Sequence, residues 1–200
     1  MARLLRATAR ADHGGALKKH LMTNPPKQPP AWQTDFIRKI DPAAVRPALL
    51  KLSLEAVETI PLANEQRMFS FQGSGPFRTK MLLTLLTYCY GLGLYSSSEI
   101  EEESHRDEII RTLVAGHFPD AQTLRRFRRE YRQQVEQCLL ALFRLASQLT
   151  RESVNSELAK FDFKAALQLR EGADANTAFL SRAAHERFDC AIWVDKMVDY

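Results

Sequence analysis

The chain has few of the residues that build metal centres, disulfide frameworks or phosphate-binding loops. Its three cysteines, Cys89, Cys138 and Cys190, are far apart and form no Cys-x-x-Cys pair, which argues against a disulfide framework and a zinc site. The Gly-Ser-Gly segment at 73–75 is not followed by the Lys-Ser/Thr pair of a phosphate loop. We therefore predict no cofactor and no metal, and we expect a reducing, cytoplasmic setting.

Long apolar runs are also missing. The longest run, from Met81 to Leu86, is interrupted by Thr84 and is far shorter than the roughly 20 residues needed to cross a bilayer. We therefore expect no membrane partner. A chain of 200 residues suits one domain with appended helices and can bury a sizeable core.

The charge that is present is unevenly distributed. The formal net charge is only +4, from 28 Lys and Arg against 24 Asp and Glu. Residues 121–132 nevertheless carry five arginines and one acid, whereas residues 99–108 carry six acids and one arginine. A basic segment concentrated on one helix is the electrostatic pattern of a nucleic-acid contact.

Proline and glycine divide the chain into four parts. Residues 1–30 form a basic arm ending in a polyproline linker, which either contacts DNA phosphate or is a terminus without a partner. Residues 31–71 give short helical pieces separated by prolines, one beginning at Asp41-Pro42 and another running from Ala48 to Glu58. Residues 72–148 form the compact domain. Residues 149–200 form a C-terminal helical extension.

The compact domain is predicted to be all-α, a helical bundle. Its first helix, from Arg78 to Gly91, is apolar around nearly its whole circumference and belongs at the centre. A serine-capped helix follows to about Arg106, and another runs from Asp107 to a left-handed C-cap at Gly116. The acidic second helix, with Glu101–Glu103, is predicted to be solvated and to point away from DNA phosphate.

The last helix of this set contains the arginine cluster. Pro119 and Asp120 are start signals, so the helix is predicted to begin near residue 120. Its apolar residues fall within about 60° of Leu124 on a helical wheel and are predicted to be buried. They are Leu124, Phe127, Tyr131, Val135, Cys138, Leu142, Leu145 and Leu149. On the same wheel Arg125, Arg128, Arg129 and Arg132 share one flank, between about 40° and 140°, and Arg126 points elsewhere.

Arginine presents a planar fork of donors that suits phosphate oxygens and the O6/N7 edge of guanine. Successive helices with a tight turn before a basic last helix have the outline of a helix-turn-helix module, whose last helix enters the major groove. We therefore predict a helix-turn-helix-like core that binds double-stranded DNA. The predicted DNA-binding residues are Gln122, Thr123, Arg125, Arg126, Arg128, Arg129 and Arg132. The alternative for the arginines is a solvated charged face.

Several short motifs in a fixed order are specific enough to indicate a family. Gly75-Pro76-Phe77-Arg78 precedes an apolar helix, Ser96-Ser97-Ser98-Glu99 opens the next, and Pro119-Asp120-Ala121-Gln122-Thr123-Leu124-Arg125-Arg126-Phe127-Arg128 opens the arginine helix. Over roughly residues 72–148 the chain resembles the N-terminal domain of DDE-type bacterial insertion-sequence transposases. The resemblance implies DNA binding at the terminal inverted repeats of an insertion sequence, and hence a nucleoid-associated protein in the DNA-bound state.

In that family an RNase-H-like catalytic domain follows, with three carboxylates that hold two divalent metals. The sheet of an RNase-H-like domain needs well above about 100 residues, so residues 151–200 are not expected to supply it. We assign no catalytic residues and expect a separate catalytic transposase subunit, if there is one, to come from another frame. Asp195 reads either as a first carboxylate after a strand or, with more support, as part of a final packing helix.

A second reading is a helical interaction or dimerisation module that regulates its parent element. The apolar stripe from Leu124 to Leu149 spans about seven turns and would pair with a partner helix or a second copy. The two readings are compatible, since DNA binders of this type often read paired half-sites as dimers.

Overall fold

The computed structural model describes residues 42–62, 68–69, 77–152 and 177–198. Within these ranges the fold is an all-α bundle, as predicted, with one very small antiparallel sheet. Its helices are α1 (Pro42–Glu58), α2 (Thr79–Gly91), α3 (Ser97–Arg106), α4 (Glu108–Val114), α5 (Ala121–Glu130), α6 (Arg132–Glu152) and α7 (Thr177–Val198). The strands are β1 (Met68–Phe69) and β2 (Phe77–Arg78). The described residues all lie in one compact unit, residues 31–200.

Helix α2 lies at the centre of the bundle, which confirms the prediction from its all-round apolar surface. Every residue from Leu82 to Gly91 is buried, and α1, α4 and α6 pack around it. At Gly91 the helices approach closely, because a Cβ built there would lie 3.3 Å from Leu142 and 3.4 Å from Leu49. The carbonyls of Tyr90 and Gly91 accept hydrogen bonds from Arg187 of α7, so a cation stabilises the end of α2.

Helix α1 is longer than the sequence indicates. It begins at Pro42 as predicted, but it continues through Pro47 to Glu58 instead of forming two pieces. Pro47 removes one amide donor within the helix. Burial of Leu49, Leu52 and Ala56 against the bundle offsets that loss.

The short hairpin was not predicted, because the fold was expected to be all-α. Phe69 pairs with Phe77, and Met68 pairs with Arg78. Phe69 is buried and packs edge-on to Phe127 of α5, with ring centroids 5.1 Å apart. The hairpin thus supports the inner face of α5.

The helix starts were predicted correctly because their signals are local. Ser96 accepts a hydrogen bond from the Glu99 amide at the start of α3, and Asp107 accepts one from the Ile110 amide at the start of α4. Helix α4 ends where Ala115 (φ 50°) and Gly116 (φ 78°) both take left-handed conformations. The predicted left-handed conformation at Gly116 is present, but the C-cap of the helix is the preceding residue, Ala115.

The arginine helix and its continuation are two helices, not one. Tyr131, with φ −108° and ψ 29°, separates α5 from α6. The predicted stripe crosses this break and is buried over most of its length, at Leu124, Phe127, Tyr131, Val135, Cys138 and Leu142. Leu145 is partly buried, and the Leu149 side chain lies outside the described ones.

Asp195 lies in α7, a long helix packed on the bundle, and does not follow a strand. This confirms the second of the two interpretations given for Asp195. Phe188, Ala184 and Ala191 are buried against the bundle, where α7 packs mainly on α6.

In the described part of the chain, no helix is both long and apolar enough to span a membrane. The basic arm and polyproline linker of residues 1–30 lie outside the described residues. The predicted division at 31–71, 72–148 and 149–200 stays a prediction.

Candidate nucleic-acid interface

Helix α5 is held at its N-terminus by two carboxylates. Asp120 accepts a hydrogen bond from the Thr123 amide at 2.6 Å, which confirms the predicted cap. Glu101 of α3 accepts one from the Ala121 amide at 2.9 Å. Both carboxylates are stabilised by the positive, N-terminal end of the helix dipole. The first-turn amides of Ala121 and Thr123 are therefore satisfied within the chain, and a phosphate would meet negative charge there.

The contact from Glu101 corrects one detail of the prediction that Glu101–Glu103 form a solvated face. Glu101 is half-buried because it bonds α5, whereas Glu102 is exposed. Nearby, burial raises the pKa of Glu99, and repulsion from Glu103 and Glu102 raises it further. The acidic helix thus packs directly on the arginine helix.

The predicted row of four arginines is divided by the fold. Arg128 is only 3% exposed and lies inside the bundle. Arg125 is half-buried, whereas Arg129 and Arg132 are exposed. Arg128 sits about 40° from the centre of the apolar stripe, close enough to turn inward when a partner is available.

That partner is Asp195 of α7. Arg128 Nη2 donates to Asp195 Oδ2 at 2.5 Å, and Arg128 Nη1 donates to the Tyr90 hydroxyl of α2 at 3.1 Å. Burial alone would lower the pKa of Arg128, but Tyr90 and Asp195 outweigh it and leave that pKa raised. Arg128 is therefore a buried, permanently charged side chain whose charge is compensated inside the protein.

Asp195 also contacts the start of α3 and a second arginine. Ser97 donates to it twice, from the backbone amide to Oδ1 at 2.8 Å and from Oγ to Oδ2 at 2.6 Å. Arg125 Nε lies 3.4 Å from Oδ2, and Arg125 Nη2 donates to Ser98 Oγ at 3.3 Å. One carboxylate, 4% exposed, thus joins α3, α5 and α7. We name Asp195, Arg128, Arg125 and Ser97 the Asp195 network.

A different side of α5, about 130° around the helix from Arg128, presents another set of residues. Gln122, Arg126 and Arg129 are exposed and follow each other at spacings of four and three residues. On an α-helix they lie within about 60° of one another and extend over about 10 Å. Arg126 is 4.0 Å from Glu130, an exposed pair that contributes little. We name Gln122, Arg126 and Arg129 the outer row.

The remaining predicted residues lie apart from the outer row. Thr123 is fully buried, so its hydroxyl does not face solvent. Arg132 begins α6 and is bound to two acids, Glu136 at 2.9 Å and Asp189 at 3.3 Å. His185 lies within 3.3 Å of the same two carboxylates. A phosphate would have to compete with them for Arg132.

Sequence reasoning missed the role of Asp195 as the partner of the arginines. Arg128 and Asp195 are 67 positions apart, so no pattern of local spacing relates them. It also set Arg126 apart from the other arginines, although Arg126 and Arg129 are both exposed and only about 60° apart on the same helix. Among the described side chains, no group of three or more His, Cys, Asp or Glu residues is placed to hold a metal ion.

By its fold and its candidate interface, the protein is a helical bundle with a short basic helix, α5, on its surface. The buried ion pair Arg128–Asp195 holds α5 against the bundle. A family model described as "Transposase domain (DUF772)" matches residues 49–130, so the chain is transposase-related over this segment. The match runs from within α1 to the last residue of α5, and α6 and α7 lie beyond it. No curated protein and no solved structure matched the chain.

Proposed function

We propose that the protein binds double-stranded DNA through the outer row of α5 and recognises the terminal inverted repeats of an insertion sequence. The observation that carries the proposal is the outer row itself. It places an amide and two guanidinium groups on one exposed strip of a helix about 10 Å long. Arginine reads guanine and glutamine reads adenine in the major groove, so these side chains suit base edges as well as phosphates.

The match to a transposase domain supports this function, because it covers α5 and ends with it. The helix order also fits, since α3, α4 and α5 follow one another and α5 is the basic last member, as in a helix-turn-helix module. Because Arg128 and Thr123 are buried, the proposed contact set is narrower than the sequence indicates. It comprises Gln122, Arg126 and Arg129, with the half-buried Arg125 one helical turn from Arg129. The proposed contribution of residues 49–130 to transposition is DNA binding.

The structure offers less support for the interaction-module reading. That interpretation was based on the apolar stripe of the arginine helix. The stripe packs within the chain itself, against α1, α2 and α7. A second copy would have to bind another surface. Dimerisation therefore stays a prediction without a described surface.

The proposal is tested by selecting duplexes from a randomised pool with the intact chain, then titrating the selected and a scrambled duplex at equal salt. We expect the selected duplex to bind at least about 1000-fold more tightly, the lower end for specific DNA binders. The double variant Arg126→Ala/Arg129→Ala should lose this preference. A matched control is Arg144→Ala/Arg182→Ala, which removes two exposed arginines from α6 and α7. Equal loss in both double variants, or failure to enrich any sequence, would contradict the proposal.

A further inference from the structure

The outer row and the buried Arg128 lie on different sides of α5, about 130° apart around the helix, and this arrangement suggests a role for Asp195, a residue outside the matched segment. Arg128, in the network, and Arg129, in the outer row, are consecutive in α5. Anchoring the first therefore sets the direction of the second. We propose that Asp195 is the positioning residue of the DNA interface and fixes the rotation of α5 about its axis. This inference rests on the proposed function.

The geometry shows why rotation matters. A helix with its side chains has a radius of about 6 Å, so a rotation of about 20° moves a surface atom by roughly 2 Å. A bidentate hydrogen bond to a base does not survive a shift of that size. A phosphate contact depends mainly on charge and tolerates the same shift. Loss of the anchor should therefore impair sequence discrimination more than overall affinity.

Asp195 is suited to this task because it holds α5 against two other helices at once. Its carboxylate accepts hydrogen bonds from Ser97, the first residue of α3, and from Arg128 on the buried side of α5. The hydroxyl of Tyr90 holds the second nitrogen of Arg128 from α2. The guanidinium fork is thus fixed at two points, which resists both rotation and sliding of α5.

The test compares Asp195→Asn with the unmodified chain in titrations of pool-selected and scrambled duplexes. Asparagine keeps an acceptor for the Ser97 amide but removes the charge that holds Arg128 and Arg125. We expect the selectivity ratio to fall at least tenfold, and scrambled-duplex affinity to stay the same or increase because Arg125 is released. If Asp195→Asn does not fold, Arg128→Lys serves instead. It keeps the charge but cannot bond Asp195 and Tyr90 in the same geometry, and the same fall is expected.

A matched control separates positioning from general weakening of α7. Leu180→Ala opens a cavity at the far end of the same helix, about 22 Å from Asp195. We expect Leu180→Ala to lower the unfolding midpoint and leave the selectivity ratio unchanged. An unchanged ratio in folded Asp195→Asn, with loss in Arg126→Ala/Arg129→Ala, would overturn the inference and leave the proposed function standing. If the unmodified chain shows no selectivity, the proposed function itself fails.

Discussion

The buried pair Arg128–Asp195 gives a quantitative prediction for folding stability. Both residues are at most 4% exposed, and their charges neutralise each other inside the bundle. Changing one partner alone leaves the other charge buried without compensation, which costs about 3–5 kcal/mol. We therefore expect Arg128→Met and Asp195→Leu each to lower the free energy of unfolding by about that amount.

The double variant Arg128→Met/Asp195→Leu should be much less destabilised than the two singles together. Apolar residues of similar volume replace the pair at little cost. The amide and hydroxyl of Ser97 lose their acceptor, which costs about 1–3 kcal/mol for each group. The double variant is thus expected to lose about 2–6 kcal/mol, less than the sum of about 6–10 kcal/mol for the singles.

The assay is urea unfolding followed by circular dichroism for the four proteins of this cycle. A favourable coupling energy of at least about 2 kcal/mol between the two sites would support the buried pair. Arg126→Met serves as a control, because its side chain is 54% exposed and its removal should change stability by no more than about 0.5 kcal/mol. Strictly additive losses would contradict this prediction, since they would mean that the Arg128 charge is not stabilised by Asp195.

Three further predictions concern the elements that support α5. Asp120→Ala should lower stability by about 1 kcal/mol in urea unfolding because it removes the cap, whereas Asp120→Asn should be nearly neutral; equal losses would contradict the capping role. Phe69→Ala should cost about 3–5 kcal/mol, because the buried ring packs on Phe127, and the exposed neighbour change Met68→Ala should cost far less. Burial raises the pKa of Tyr90 to about 12 although nearby Arg128 lowers it, so its phenol ionises later in the folded chain than in the unfolded chain. Its contribution to stability is therefore complete below pH 10 and is lost as the pH rises to about 12, which ultraviolet difference titration with a Tyr90→Phe control would follow.

Local signals predicted much of this fold correctly. The caps at Ser96, Asp107 and Asp120 lie within three residues of the amides they bond, so the sequence alone locates the helix starts. The apolar surface of α2 marks it as the central helix for the same reason, because its pattern is contained in one segment.

What was missed depends on residues far apart in the chain. Phe69 becomes part of a strand only because Phe77 lies opposite and Phe127 covers it. Arg128 points into the bundle because it binds Asp195 of α7. A helical wheel of α5 shows only the residues of α5, so it cannot predict this contact. The sequence therefore located the arginine helix but not which of its arginines face outward.

We propose that the outer row of α5, and not the buried Arg128, faces DNA. Site-specific photocrosslinking of the intact chain tests it most directly, with a photoreactive amino acid placed at position 122 or, as a control, at the exposed position 144 of α6. We predict a crosslink to the selected duplex from position 122 that excess unlabelled selected duplex abolishes and scrambled duplex does not, and only background from position 144. Equal crosslinking from both positions, or none from position 122 while the duplex is bound, would contradict the claim.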